Sequence, residues 1–129
     1  EHALNVGSNI FYFFKPRFKE IKNIAANVQS MLKSSLNAFA RLDTEDTINV
    51  LKKDEEVDDD YRSFMRQLVT FMLEDPRTIS MSLEMIFVTK SLERIGDHAK
   101  NISEAVIYTV SGEDVRHEPI EKIIKTLNS

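Results

Sequence analysis

Apolar residues along this chain recur at alternating gaps of three and four, the spacing at which an α-helix returns to one face. A first stripe runs Phe18, Ile21, Ala25, Val28, Leu32, Leu36, Phe39 and Leu42. Pro16 stands just ahead of it, and the fixed φ of proline suits a first helical position, so the first helix is expected to start there. A second stripe runs Val50, Asp54, Val57, Tyr61, Phe64, Leu68 and Phe71, with a carboxylate at Asp54 where the pattern calls for a hydrophobe. Asp43 or Thr44 caps this helix, and Glu45 and Asp46 put negative charge in its first turn. Asp75 and Pro76 read as cap and first position of a third helix, with the stripe Met85, Val88, Leu92, Ile95, Ala99, Ile102, Val106 and Val110. Gly112 ends it as a C′ glycine. The connections are very short, so neighbouring helices must run antiparallel. The expected fold is all-α: an antiparallel three-helix bundle of long helices.

Both ends add to this. Glu1, His2, Ala3, Asn5 and Val6 echo Asp97, His98, Ala99, Asn101 and Ile102, and at the same offset Ile10, Phe11 and Tyr12 fall on Val106, Ile107 and Tyr108. An offset near the length of a three-helix unit is the mark of an internal repeat. Residues 1–14 are therefore read as the end of the third helix of a preceding repeat, with residues 15–117 as the three-helix repeat proper. Residues 118–129 form a tail. Within it, Pro119 can open a short amphipathic helix carrying Ile120, Ile123, Ile124 and Leu127 on one face. That face needs the bundle or another chain to cover it; the other reading is a frayed terminus. Phe11, Phe13 and Phe14 point to packing against further structure, either homodimerisation or exchange of a terminal segment.

Composition narrows the function classes. A chain of 129 residues can bury a real core as one domain. It has no Cys, which removes disulfides and thiolate metal sites and is compatible with a reducing cytosol. A net charge of −4 disfavours binding along a nucleic-acid backbone. No apolar run approaches the roughly 20 residues needed to cross a bilayer, so any membrane contact would be indirect, through a partner.

Two acidic pairs carry the candidate chemistry. Asp54 and Asp58 lie four apart in the second helix, and Glu93 and Asp97 four apart in the third. Residues so spaced project side by side, and each like-charged pair costs an isolated helix roughly 0.2–0.5 kcal/mol. A bound cation reverses that sign, and an all-oxygen ligand set suits magnesium, manganese, calcium or iron. Acidic runs on helices are ordinarily just solvated faces. Two details set these apart: Asp54 interrupts an apolar stripe, and Gly96 sits mid-helix, where glycine costs about 1 kcal/mol relative to Ala and often allows a close approach. Glu93 and Asp97 are expected on the side of their helix away from its apolar stripe, at the solvent-exposed surface. His98 and His2 read as surface histidines, and His117 has no visible partner. The five Met residues fall on or beside the stripes and read as core. No phosphate-binding loop, dinucleotide motif, nucleophile elbow or Glu-x-x-His pair is present, and nothing assembles a nucleophile, base and oxyanion hole. The chain does not read as an enzyme.

Four segments then resemble one family. Residues 54–61 are similar to the PhoU-family segment D-x-x-[VI]-D-x-x-Y, and residues 72–77, Met-Leu-Glu-Asp-Pro-Arg, resemble its M-x-E-D-[PS]-R turn. The run Leu92-Glu93-Arg94-Ile95-Gly96-Asp97, with Asn101 and Ile102 following, is similar to its LERIGDxxxNI signature, and residues 112–117 to its G-x-x-[VF]-R-H ending. The family has two three-helix repeats, of which this chain resembles the second. The resemblance implies a cytoplasmic accessory protein of phosphate-specific transport, a negative regulator of the phosphate-starvation regulon. It implies as partners the ATPase of the ABC phosphate importer and a phosphate-sensing histidine kinase. Some members carry iron or zinc clusters on E/DxxxD motifs. Residue by residue, this implies metal ligation by Asp54, Asp58, Glu93 and Asp97, with Asn101 a weaker addition; Glu1 would belong to the equivalent motif of the preceding repeat. Metal identity stays open among iron, zinc, manganese and magnesium. Two other readings are a structural helical adaptor whose acids are merely solvated and a carboxylate-ligated metallohydrolase using metal-bound water.

Overall fold

A computed structural model describes residues 2–128, with side chains from residue 17 onward. Helix α1 spans His2–Arg41, α2 Thr44–Glu74, α3 Ile79–Ser111 and α4 Ile120–Asn128, with a short 3-10 turn, Pro76–Thr78, before α3. Helices α1, α2 and α3 pack pairwise on one another, and α4 lies against α2 and α3. This is the all-α bundle expected from the periodicity.

Local chemistry sets most helix ends. The Asp43 carboxylate accepts from the Glu45 N–H at 2.9 Å, capping α2. At the next corner Asp75 accepts from the Arg77 backbone N–H at 3.0 Å and from its guanidinium at 2.8 Å. Asp114 and Arg116 repeat that clasp after α3, at 3.1 and 2.7 Å. Gly112 ends α3 at φ 76°, the left-handed conformation that glycine adopts without a Cβ penalty.

The first helix does not start at Pro16: α1 runs unbroken from His2 through Arg41, so no backbone break separates residues 2–14 from the rest. An interior proline deletes one backbone hydrogen bond and crowds the preceding turn, yet the helix continues through Pro16. The expectations for Glu1, His2 and the side chains of residues 11–14 fall outside the described side chains.

The buried seam is narrower than the apolar stripes. In α2 the stripe is the buried face: Val50, Val57, Phe64 and Leu68 are core, and Asp54 is buried with them. In α3 the interior is lined instead by Ser82, Met85, Thr89, Gly96, Ala99, Ser103 and Val106, while Val88 and Ile95 remain 50% and 40% exposed. On α1 the same happens to Leu36 and Phe39, 52% and 63% exposed. Small residues let helices approach closely, and the larger hydrophobes one position around the helix are then left outside. By helical phase, Leu36 and Phe39 lie on the flank of α1 turned towards α3, and Val88 and Ile95 on the flank of α3 turned towards α1. By phase all four fall on the α1–α3 side of the bundle, spread lengthwise as an apolar edge rather than gathered into one patch.

Gly96 is buried in this seam, yet a Cβ there would meet Val28 Cγ2 at 3.7 Å and Met31 Cε at 3.8 Å, ordinary contact distances. The packing does not demand glycine. Gly96→Ala is expected to raise stability by about 0.5–1 kcal/mol through helix propensity, measured as an increased urea midpoint at unchanged slope.

The tail is part of the body. Ile123 is 3% exposed and packs with Leu51 of α2, Ile107 of α3 and Val115, with Ile120 and Leu127 beside them. The bundle covers the amphipathic face.

Candidate functional site

The acids expected on helix three away from its interior lie instead along the groove between α2 and α3. The physical reason is the shift of the seam: once Gly96, Ala99 and Ser103 face inward, Glu93, Asp97 and Lys100 fall on the flank beside α2. Glu93 is half-buried and faces the Tyr61 hydroxyl of α2: burial, then the Glu93 charge, hold the phenol above its usual range. Asp97 is exposed at the rim, within electrostatic reach of both Asp54 and Asp58.

Asp54 is the unusual member. At 5% exposure it sits in the core stripe of α2, and Lys100 Nζ of α3 lies 3.5 Å from its Oδ2. Burial, then the neighbouring Asp58, with Asp97 adding to them, push the Asp54 carboxyl up to about 6, and Lys100 offsets part of this. Asp58 is half-buried, and its carboxyl is also raised, by burial and then Asp97, against the opposing pull of Arg62 and Lys100. An acid whose charge is disfavoured by its surroundings is a frequent mark of a functional site.

The sequence-predicted ligands are therefore only partly brought together. Asp54, Asp58 and Asp97 share one groove; Glu93 faces Tyr61 one turn further along. Asn101 lines a different cleft of about 640 Å³ with Glu104, Tyr108 and Arg116. Among the described residues, no group of three or more His, Cys, Asp or Glu side chains is placed to hold a metal ion. His98 is exposed.

Three residues escaped sequence reasoning. Lys100 pairs with Asp54 across the groove, and Glu104, one turn further along α3, is 8% exposed. His117, held at φ 66°, lines a small cavity with Asp54, Lys100, Glu104 and Glu118. Lys100 could have been found: it lies one turn from Asp97 on α3, while Asp54 breaks the stripe of α2. His117 could not, because only the fold of the tail brings it there.

Fold and site together define a class: a bundle of long helices carrying a carboxylate-lined groove on one side and an apolar edge on another. The PhoU domain family model matches residues 21–106, and the chain belongs to this family. It is 50% identical over 100 residues to the phosphate-specific transport system accessory protein PhoU homolog of Pseudomonas aeruginosa, covering 78% of this chain and 41% of that protein. The Escherichia coli phosphate-specific transport system accessory protein PhoU is 37% identical over 113 residues, 88% of this chain and 47% of that protein. The Caulobacter vibrioides homolog is 42% identical over 97 residues, 75% of this chain and 42% of that protein. This chain thus spans under half the length of these relatives. No solved structure matches it with significance. Among the described residues, no helix is long and apolar enough to cross a membrane.

Proposed function

We propose that the chain is a regulatory binding module of phosphate uptake and phosphate-starvation signalling that acts by docking to proteins rather than by catalysis. Its relatives are named as accessory proteins of phosphate-specific transport. The observation that carries docking is the apolar edge: Leu36 and Phe39 on α1 with Val88 and Ile95 on α3, each at least 40% exposed. Large hydrophobes left exposed along one side of a bundle are candidates for an interaction site. The partners proposed, from the family resemblance, are the ATPase of the phosphate importer and the phosphate-sensing histidine kinase, which would place the module in the cytoplasm and at the membrane only through them.

The acidic groove is proposed as a cation-binding element that rigidifies this module. Its donors are all oxygen, which fits a hard ion such as magnesium, manganese or iron better than a thiolate-seeking one. Asp58 and Asp97 are the acids with open access. Asp54 joins them only if Lys100 is displaced and Glu93 only if it turns away from Tyr61, while Asn101 lies apart in its own cleft. A cation there supplies positive charge that holds α2 and α3 together.

Docking is tested by retention of the importer ATPase or the sensor kinase on immobilised protein. Phe39→Glu combined with Ile95→Glu is expected to weaken capture at least tenfold while leaving the helical circular-dichroism signal intact. Undiminished capture by the double variant would remove the apolar edge from the proposal.

A further inference from the structure

Glu104 is a buried carboxylate outside the acidic groove. It is 8% exposed, and among the described residues no hydrogen bond or ion pair reaches its oxygens. An ionised carboxyl taken out of water calls for a partner. The cations beside it are engaged elsewhere. Lys100, one turn earlier on α3, is drawn to Asp54 at 3.5 Å. Arg116 feels the Glu104 charge, but its Nε and Nη2 are bound to the Asp114 carboxylate at 3.0 and 2.7 Å. Arg116 and Asp114 thus neutralise each other, and the charge left over is that of Glu104. Its side chain lines the cleft of about 640 Å³ together with Asn101, Ala105, Tyr108 and Thr109. This cleft lies at the C-terminal end of α3, whose last turn carries no basic residue. The negative end of the helix dipole there adds to the attraction for a cation.

We propose that this cleft receives an arginine side chain carried by a protein partner, its guanidinium paired with Glu104. The lining selects for that shape. The volume is far more than a bare ion fills and falls within the range of about 300–1,000 Å³ typical of ligand clefts. Ala105 and Tyr108, the latter 58% exposed, offer an apolar wall for the alkyl stem and an aromatic face on which a guanidinium stacks. The planar fork of arginine meets a carboxylate with two parallel N–H donors, which a lysine ammonium cannot do. Asn101 and Thr109 add acceptor oxygens to the same lining. No resident ion pair has to be broken first, because Glu104 holds none. This inference rests on the docking reading above and adds to it a polar contact separate from the apolar edge.

The test is a titration of the whole chain with the peptide acetyl-Ala-Arg-Ala-amide, followed by amide NMR. Shifts are expected at residues 101–109 and 114–116, with a Kd of about 1 mM for one anchored side chain. The same peptide with citrulline keeps the shape and removes the charge; it is expected to bind at least about tenfold more weakly. Glu104→Gln is expected to weaken the arginine peptide by a similar factor, and Tyr108→Ala by about threefold, with Tyr108→Phe close to wild type. Equal binding of the two peptides, no shifts with either, or undiminished binding to Glu104→Gln would overturn the proposal. Ethylguanidinium binding as tightly as the arginine peptide would give the cleft to small free cations and defeat the protein-borne arginine. Should Glu104→Gln fail to fold, the two peptides on the wild-type chain decide the matter. The variant carrying Phe39→Glu and Ile95→Glu is expected to bind the peptide as wild type does, so failure of the apolar edge and failure of the cleft read out separately.

Discussion

Asp54→Asn is expected to make the protein more stable at pH 7.5, by up to about 3 kcal/mol, with the advantage vanishing as the pH falls to 4. The Asp54 carboxyl is raised from 3.8 to about 6, and each unit is worth about 1.4 kcal/mol. The sign follows from proton linkage: the folded state holds this proton more tightly than the unfolded chain does. Wild type therefore gains stability from Asp54 as the pH drops from above 6 towards 4, and loses it as the pH rises through 6. Asparagine has no proton to exchange, so the gap between the two proteins opens across that window and is constant above it. Denaturant titrations at pH 4, 5, 6 and 7.5 measure it. Lower stability of Asp54→Asn at pH 7.5 would show that the Asp54–Lys100 pair is a net structural asset. The expected result says the opposite: a charge kept in the core stripe against stability serves another purpose.

Ile123→Asp is expected to release α4 while leaving the three long helices folded. Ile123 is 3% exposed, and burying such a side chain is worth about 1.5–3 kcal/mol, to which the aspartate adds the cost of a charge among Leu51, Ile107 and Val115. Helix α4 has nine residues, too few to persist in water undocked. Amides of residues 120–128 should then exchange with solvent at the rate of a free peptide. Those of α2 and α3 should keep most of their protection. A loss of protection throughout would show that the tail is needed by the whole bundle.

Much of this architecture was legible in the sequence because its signals are local. The caps at Asp43 and Gly112 each depend on neighbours within a few positions, and the structure has them where they were expected; Asp75 caps the 3-10 turn Pro76–Thr78, and the third helix starts only after it, at Ile79. The tail helix was legible, but its cover was not, because a one-dimensional stripe does not say which surface meets it. The stripes also misplaced the interior of α3. Hydrophobicity favours Val88 and Ile95, whereas close packing selected Ser82, Thr89, Gly96 and Ser103. That one shift of phase explains two departures at once: the exposed apolar edge and the swing of Glu93 and Asp97 towards α2. At the site, Asp54 was recognisable as a carboxylate out of pattern. Lys100 was harder to see, since its meaning depends on a partner from another helix. Pro16 misled because proline favours a first helical turn without excluding an interior position, and α1 runs through it.

The Asp75–Arg77 and Asp114–Arg116 clasps, and the cap of Glu45 by Asp43, each close over two residues and stand largely in water. None of them waits for distant parts of the chain to meet. The limits of the rods can thus be drawn while the polypeptide is still open, leaving acquisition of the native state as little more than the collision of preformed cylinders. Chains dominated by such near-neighbour contacts reach their final form in microseconds to milliseconds, a pace that gives a newly made copy little time with its greasy flanks uncovered.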